Sequence, residues 1–182
     1  MVADEPAVVT LVPYDPAWPR LFEAERAHLE LILDPWLGGG AHHVGSTAIP
    51  GMSAKPVIDM IAGVHDLEES RAAFEPLAQL GYEFTPHRPR THHFSKPRGA
   101  PWSAVTHNLH LTEVGTDLWR ERLAFRDALR ADPMLAAEYD ALKRRIAAEY
   151  GSDPGAYTVN KRPFVARVLA GAGIQIPAAS PR

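Results

Sequence analysis

The chain contains no cysteine, and this removes disulfides, thiolate nucleophiles and cysteine-type zinc sites in one step. Any metal chemistry must therefore rest on Asp, Glu and His. No apolar run approaches the roughly 20 residues that a membrane-spanning helix requires. The opening stretch MVADEPAVV lacks the basic-then-apolar layout of a signal peptide. A soluble, cytoplasmic protein is expected. A large excess of either charge is also lacking. The formal net charge of −3 gives no global attraction to nucleic acid or to an anionic membrane. A polyanion would have to meet a local basic patch, and a free nucleotide or another small phosphate compound is the easier partner. Internal repeats and dividing linkers are absent too. The 182 residues, 46% hydrophobic and 23% charged, predict one domain spanning 1–182 around a single core.

What is present centres on residues 42–64, HHVGSTAIPGMSAKPVIDMIAGV. It reads as a strand broken at Gly45-Ser46, a loop of small residues, and an apolar strand that carries one acid, Asp59. An ionised acid in a buried strand costs several kcal/mol unless a charge compensates it. Asp59 therefore needs a partner, either a bound cation or, structurally, Lys55 or an arginine. Gly45 lets the backbone turn or approach a ligand closely, Ser46 and Thr47 offer hydroxyls, and N–H groups freed in such a turn can face an anion. Lys55 can neutralise a phosphate. A phosphate-side loop and a metal-side acid are the parts a phosphoryl or nucleotidyl transfer site needs.

Along the rest of the chain, Val8–Val12 is a candidate edge strand. Leu21, Phe22, Leu29, Ile32 and Leu33 predict a helix, which Gly38-Gly39-Gly40 should end as a connector. Asp66-x-x-Glu69 reads as a capping box and Gly81 as a C′ stop for a helix over 67–80. Strands are expected near 82–85, over 88–96 and over 103–113, the last with Asn108, His110 and Thr112 on one face. Thr116 and Asp132-Pro133 are helix starts, the second with Leu135, Tyr139, Leu142 and Ile146 on one stripe. Asp153-Pro154 opens a further segment, with Asn160 capping a last helix so that Pro163 falls in its first turn. The Gly-, Ala-, Pro- and Ser-rich tail should fray from about residue 172.

Histidines crowd the sheet half, at 42, 43, 65, 87, 92, 93, 107 and 110. His107 and His110 lack the i, i+2 spacing that puts two ligands on one strand face. His110 alone shares the Asn108 face, as a metal ligand, a general base, a substrate contact or a packed core histidine. Arg90, Lys96 and Arg98, and in the helical half Lys143, Lys161 and Arg162, are candidates for a basic edge. Trp102 and Trp119 could stack a base or pack in the core.

The run GSTAIPGMSAKPVID, with FRDALR, YDALKRRIAAEY and YTVNKRPFV, resembles the GrpB family over roughly Val12 to Leu169. Members of that family resemble the nucleotidyltransferase superfamily. There a Gly-Ser turn precedes a strand bearing an Asp-x-Asp pair, and a third carboxylate comes from a later strand. Gly45 and Ser46 match the turn and Asp59 the first acid. Ile61 stands where the second acid would fall, and His110 lies where the third would. The resemblance implies an α+β domain, a mixed β-sheet with packed helices and a C-terminal helical portion. It implies transfer from a nucleoside triphosphate to a small acceptor, with Gly45, Ser46, Thr47 and Lys55 holding phosphate and Asp59 and His110 serving magnesium and catalysis. The alternatives are a non-catalytic nucleotide-binding module and a metal-dependent phosphohydrolase that uses the histidines.

Overall fold

The computed structural model describes residues 8–86 and 88–175. The first seven residues, His87 and most of the expected fraying tail lie outside that range. Five strands form one mixed sheet in the order β1-β2-β5-β4-β3: β1 Leu37–Val44, β2 Ile58–Val64, β3 Glu83–Phe84, β4 His92–Lys96 and β5 His107–Glu113. The β2–β5 pair is parallel and every other pair antiparallel. Five helices accompany them: α1 Trp18–Leu33, α2 Phe74–Gln79, α3 Asp117–Ala131, α4 Pro133–Tyr150 and α5 Pro154–Gly171. This is the expected α+β fold with a C-terminal helical portion, and none of the described helices is long and apolar enough to cross a membrane.

Alternation along the two central strands decides what each face of the sheet does. Met60, Ala62 and Val64 of β2 and Leu109 and Leu111 of β5 are buried with Phe22, Leu29 and Leu33 of α1, which makes the main core. The opposite face carries Asp59, Ile61, Asn108 and His110. There Ile61 packs with Val44 and with Leu118 and Trp119 of α3. Gly63 has no side chain because Trp119 fills its space; a Cβ there would lie 2.8 Å from the indole. A separate apolar cluster, with Ile49, Leu129, Tyr139 and Phe164, joins α3, α4 and α5 to the loop after Gly45.

Local chemistry sets several ends. Asp66 Oδ1 accepts from the Glu68 and Glu69 N–H groups at 2.8 and 2.9 Å, the expected cap. The turn that follows is a 3-10 segment, Glu69–Ala73, before α2 begins, and Pro76 lies within α2. Gly81, at φ 97°, stops it. Asp132 and Asp153 cap α4 and α5, each with proline in the first turn.

Several boundaries differ from the sequence expectation, among them the strand expected over 88–96, which begins at His92 after an isolated Arg88–Thr91 bridge. Gly38–Gly40 belongs to β1, where the register shifts between Leu37 and Gly40; glycines tolerate such a bulge and admit the Trp119 ring. Val8–Val12 makes a single bridge, Val12 to Ala54, and the Val9 N–H donates to the Gly151 carbonyl of the helical half. The strand expected over 103–113 begins at His107, because Trp102–Ala104 winds into a 3-10 turn after Pro101. The last helix starts at Asp153, not Asn160, and carries Pro163 in its interior. Lys161 and Arg162 are consequently mid-helix residues and do not face a helix N-terminus.

Candidate active site

The β1–β2 register sets Val44 opposite Asp59, so the turn that follows Val44 meets the acid directly. Gly45 adopts φ 72°, ψ −175°, a conformation essentially restricted to glycine. A Cβ there would lie 2.6 Å from Asp59 Oδ2. Thirteen residues apart in sequence, Ser46 and Asp59 therefore line one cavity. Asp59 Oδ1 accepts from Asn108 Nδ2 at 2.9 Å, its partner across the parallel pair. That bond fixes the carboxylate and leaves Oδ2 on the Gly45 side. No ion pair to Asp59 forms among the described residues.

The cavity, about 530 Å³, lies between this turn, α3 and α5. From α3 the stripe Leu118, Glu121, Arg122, Phe125, Arg126 and Leu129 faces it, and from α5 Thr158, Lys161, Arg162, Val165 and Leu169 do. Arg88 and Thr91 close one end. Arg88, Arg122, Lys161 and Arg162 thus meet three acids, Asp59, Asp117 and Glu121, while a further lining cation, Arg126, is paired with Asp127 at 2.7 Å. In a chain of net charge −3 this is a local basic surface. Burial pushes the Lys161 ammonium down to about 8, with Asp59 opposing that shift and Arg122 adding to it. Burial likewise lowers Arg88, reinforced by Arg122 and Arg162 and opposed by Glu121. Cations that repel one another around an open space are the electrostatic complement of an anion.

The other residues singled out from the sequence fall around this cavity rather than in it. Thr47 is buried; its Oγ1 donates to the Val57 carbonyl at 3.0 Å and accepts from His43 Nε2 at 2.9 Å. It fastens the turn. Lys55 Nζ donates to the Trp102 carbonyl at 2.8 Å and lies 3.2 Å over the indole centroid. Trp102 is therefore a clamp for Lys55, and Trp119 is a core residue. His110 is buried in β5, opposite Ile61 and not Asp59, with its ring 4.9 Å from that of His93; it does not line the cavity. Of the expected basic edge, Lys96 pairs with Glu25 at 2.9 Å and Arg90 with Glu113 at 3.3 Å. Lys143 is fully buried and donates to the Ser53 carbonyl, while the Ser53 N–H reaches Asp140 at 3.0 Å. That cluster ties the loop after the turn to α4.

The sequence singles out none of Arg88, Asn108, Glu121, Arg122 and Arg126 for the site, although it sets Asn108 on the right strand face. The missed signal is the α3 stripe itself, where cations at 122 and 126 alternate with apolar residues at 118, 125 and 129.

Asp59 is the one carboxylate at the turn, Ile61 is wholly buried in an apolar cluster, and no group of three or more His, Asp or Glu among the described residues could hold a metal. The residues do not fit a two-metal centre. A single magnesium ion would find one protein ligand here, Asp59, and would need phosphate oxygens and waters for the rest.

His43 gives the turn a measurable acid sensitivity. It stacks on Phe22 with centroids 4.9 Å apart, and burial, with Arg130 and Arg126 adding, lowers its pKa from 6.5 to about 4. Unfolding therefore takes up a proton between those values. This contribution is full above pH 6.5 and is lost as the pH falls towards 4, by about 3 kcal/mol. Denaturant unfolding at pH 7 and pH 4.5 should show the loss in the wild type and a smaller one in His43→Gln. Equal acid sensitivity in the two would contradict the assignment.

The sheet order, the turn and the helical half together define a class. The fold is shared with the Cid1 poly(U) polymerase bound to magnesium and 3′-dATP, at a TM-score of 0.51 and 15% identity, over 82% of this chain and 49% of that one. This is a nucleotidyltransferase-type fold. The family model described as GrpB protein matches residues 8–170, and the chain belongs to the GrpB family. The glutamate-rich protein GrpB of Alkalihalophilus pseudofirmus is 36% identical over 167 residues, 88% of this chain and 94% of the relative. A UPF0157 protein of Pseudomonas aeruginosa is 37% identical over 164 residues, 88% of this chain and 66% of the relative. The crystal structure of GrpB from Enterococcus faecalis superposes with a TM-score of 0.80 at 28% identity, covering 90% of this chain and 96% of that one.

Proposed function

We propose that the cavity binds a nucleoside triphosphate and that the protein transfers its nucleotidyl group to a small acceptor. The observation that carries this reading is the junction of the Gly45-Ser46 turn with Asp59 on a cavity rich in cations. Ser46 and the backbone of the turn hold phosphate oxygens, and Lys161 balances their charge. Asp59, oriented by Asn108, faces the reacting phosphate. The acceptor hydroxyl oxygen attacks the α-phosphorus, its proton passes to water, and the bond from the α-phosphorus to the β-bridging oxygen breaks to release pyrophosphate. Magnesium bound to Asp59 and the phosphates would supply charge neutralisation. The chain's own part is to position the triphosphate and exclude bulk water.

The second reading is binding without turnover, in which the same cavity holds a nucleotide as a regulatory ligand. Ile61, apolar and wholly buried where the family resemblance sets the second acid, is the observation that favours it.

Lys161 provides the test of the site. An ammonium lowered to about 8 is charged at pH 7 and loses its proton as the pH rises, so the affinity for ATP should fall about tenfold between pH 7 and pH 9. In Lys161→Gln the affinity should be lower at pH 7 and flat across this range. A flat profile in the wild type, or no binding, would contradict the proposal.

A further inference from the structure

The cavity has two ends. Arg126 Nη1 donates to the His43 carbonyl at 3.2 Å and Arg130 Nε to the Ala48 carbonyl at 2.9 Å, so the C-terminal half of α3 brackets the Gly45-Ser46 turn. The start of α3 sits at the other end of the sheet, where Val114 bonds to Val64 and Thr112 Oγ1 donates to the Arg90 carbonyl at 3.3 Å. Glu121 and Arg126, both on the cavity wall, are separated by about 8 Å of helix axis at 1.5 Å per residue. Lys161 interacts with Asp59 at the turn end, whereas Arg162 interacts with Arg88 and Glu121 at the far end. Arg122 lies between the two, felt by both Lys161 and Arg88.

The far end holds more positive charge than its acids use. Arg88, Arg122 and Arg162 form no side-chain hydrogen bond and no ion pair among the described residues. Glu121 shares the cavity wall with them and closes on none, while Asp117 leans to Arg120 on the outside at 3.7 Å. Three arginines that line one space, from a loop and two helices, offer the multidentate donor set that suits a phosphate group.

We propose that Arg88, Arg122 and Arg162 build a phosphate subsite at the far end of the cavity, separate from the Gly45-Ser46-Asp59 end, and that it holds a phosphate group of the second substrate. The assignment to a second substrate rests on the nucleotide reading above and narrows the acceptor to a phosphorylated small molecule. The triphosphate occupies the turn end and the acceptor's phosphate is gripped at the other, which directs its hydroxyl along the cavity towards Asp59.

The test is calorimetric titration with inorganic phosphate and with acetate, on wild type, Arg88→Gln, Arg162→Gln and Asp59→Ala, followed by phosphate titration into protein saturated with ATP. Phosphate should bind the wild type and weaken at least about tenfold in each arginine variant, in line with lost charge-assisted hydrogen bonds. It should persist in Asp59→Ala and under saturating ATP. The Arg88 and Arg162 side chains are exposed and make no hydrogen bond or ion pair among the described residues, so their variants should unfold at the wild-type midpoint, which separates lost binding from lost fold. Equal phosphate affinity in the wild type and both arginine variants, loss in Asp59→Ala, or no phosphate binding would overturn the subsite. Acetate binding as tight as phosphate would overturn the phosphate assignment. Competition between ATP and phosphate would overturn its separation from the nucleotide. If ATP fails to bind while the arginine-dependent phosphate site persists, the nucleotide reading falls and the subsite stands.

Discussion

Asp59→Ala is expected to lower nucleotidyl transfer by at least about 100-fold, the scale of removing one preorganised electrostatic group from a reacting centre, while leaving the fold in place. Two features separate these effects. Asp59 is only half-buried and opens on the cavity, and its one hydrogen bond is to Asn108, whose amide can turn to water once the carboxylate is gone. The unfolding free energy should therefore change by no more than about 1 kcal/mol. The loss should also reach Lys161, because Asp59 is the charge that supports its protonated form. In Asp59→Ala the pH dependence of ligand binding should move to lower pH. Turnover equal to wild type in this variant, measured as pyrophosphate release or as label passing from the α-phosphate to an acceptor, would contradict the mechanism.

Gly45→Ala should lose ligand binding and stability together. The backbone at φ 72°, ψ −175° lies in a region that alanine enters at a cost of about 1–3 kcal/mol. The added methyl would meet Asp59 Oδ2 at 2.6 Å, and Asn108 holds the other oxygen of that carboxylate. Either the turn or the acid must move, and each is half of the proposed site. Gly51→Ala is the matched control. Gly51 also has positive φ, at 77°, but nothing lies within 4 Å of the Cβ it would gain. It should be destabilised by the backbone effect alone and bind as wild type does. Denaturant unfolding and titration of both variants check this. Gly45→Ala binding normally would mean that the close approach of turn and acid is not what forms the site.

The legible part of the fold was the part whose residues speak locally. The apolar run of residues 58–64 around its single acid, aspartate and proline at the start of α4, and Gly81 at the end of α2 each follow from chemistry within a few positions. The turn and its acid were legible for the same reason, since Gly45, Ser46 and Asp59 belong to one short stretch. What the sequence hid depends on which elements touch. Thr47 and Lys55 sit within that stretch, yet Val57 and His43 engage the first and Trp102 the second. His110 shares the Asp59 face but stands opposite Ile61, two residues along β5 from Asn108, which is opposite Asp59. The cations that make the cavity, on α3, α5 and the segment before β4, are scattered from 88 to 162 and meet only after the helical half folds over the sheet. Gly38–Gly40 reads as a connector because three glycines in a row do; the tryptophan that requires Gly39 small is some eighty residues away in α3.

The most direct measurement is calorimetric titration of the folded wild-type protein with ATP, GTP, CTP and UTP, with and without magnesium, repeated on Asp59→Ala. Saturable binding of at least one triphosphate, strengthened by magnesium in the wild type and insensitive to it or lost in Asp59→Ala, is the predicted result. No binding of any triphosphate to the folded protein, or binding that Asp59→Ala leaves unchanged in both conditions, would contradict a nucleotide site at the Gly45-Ser46 turn.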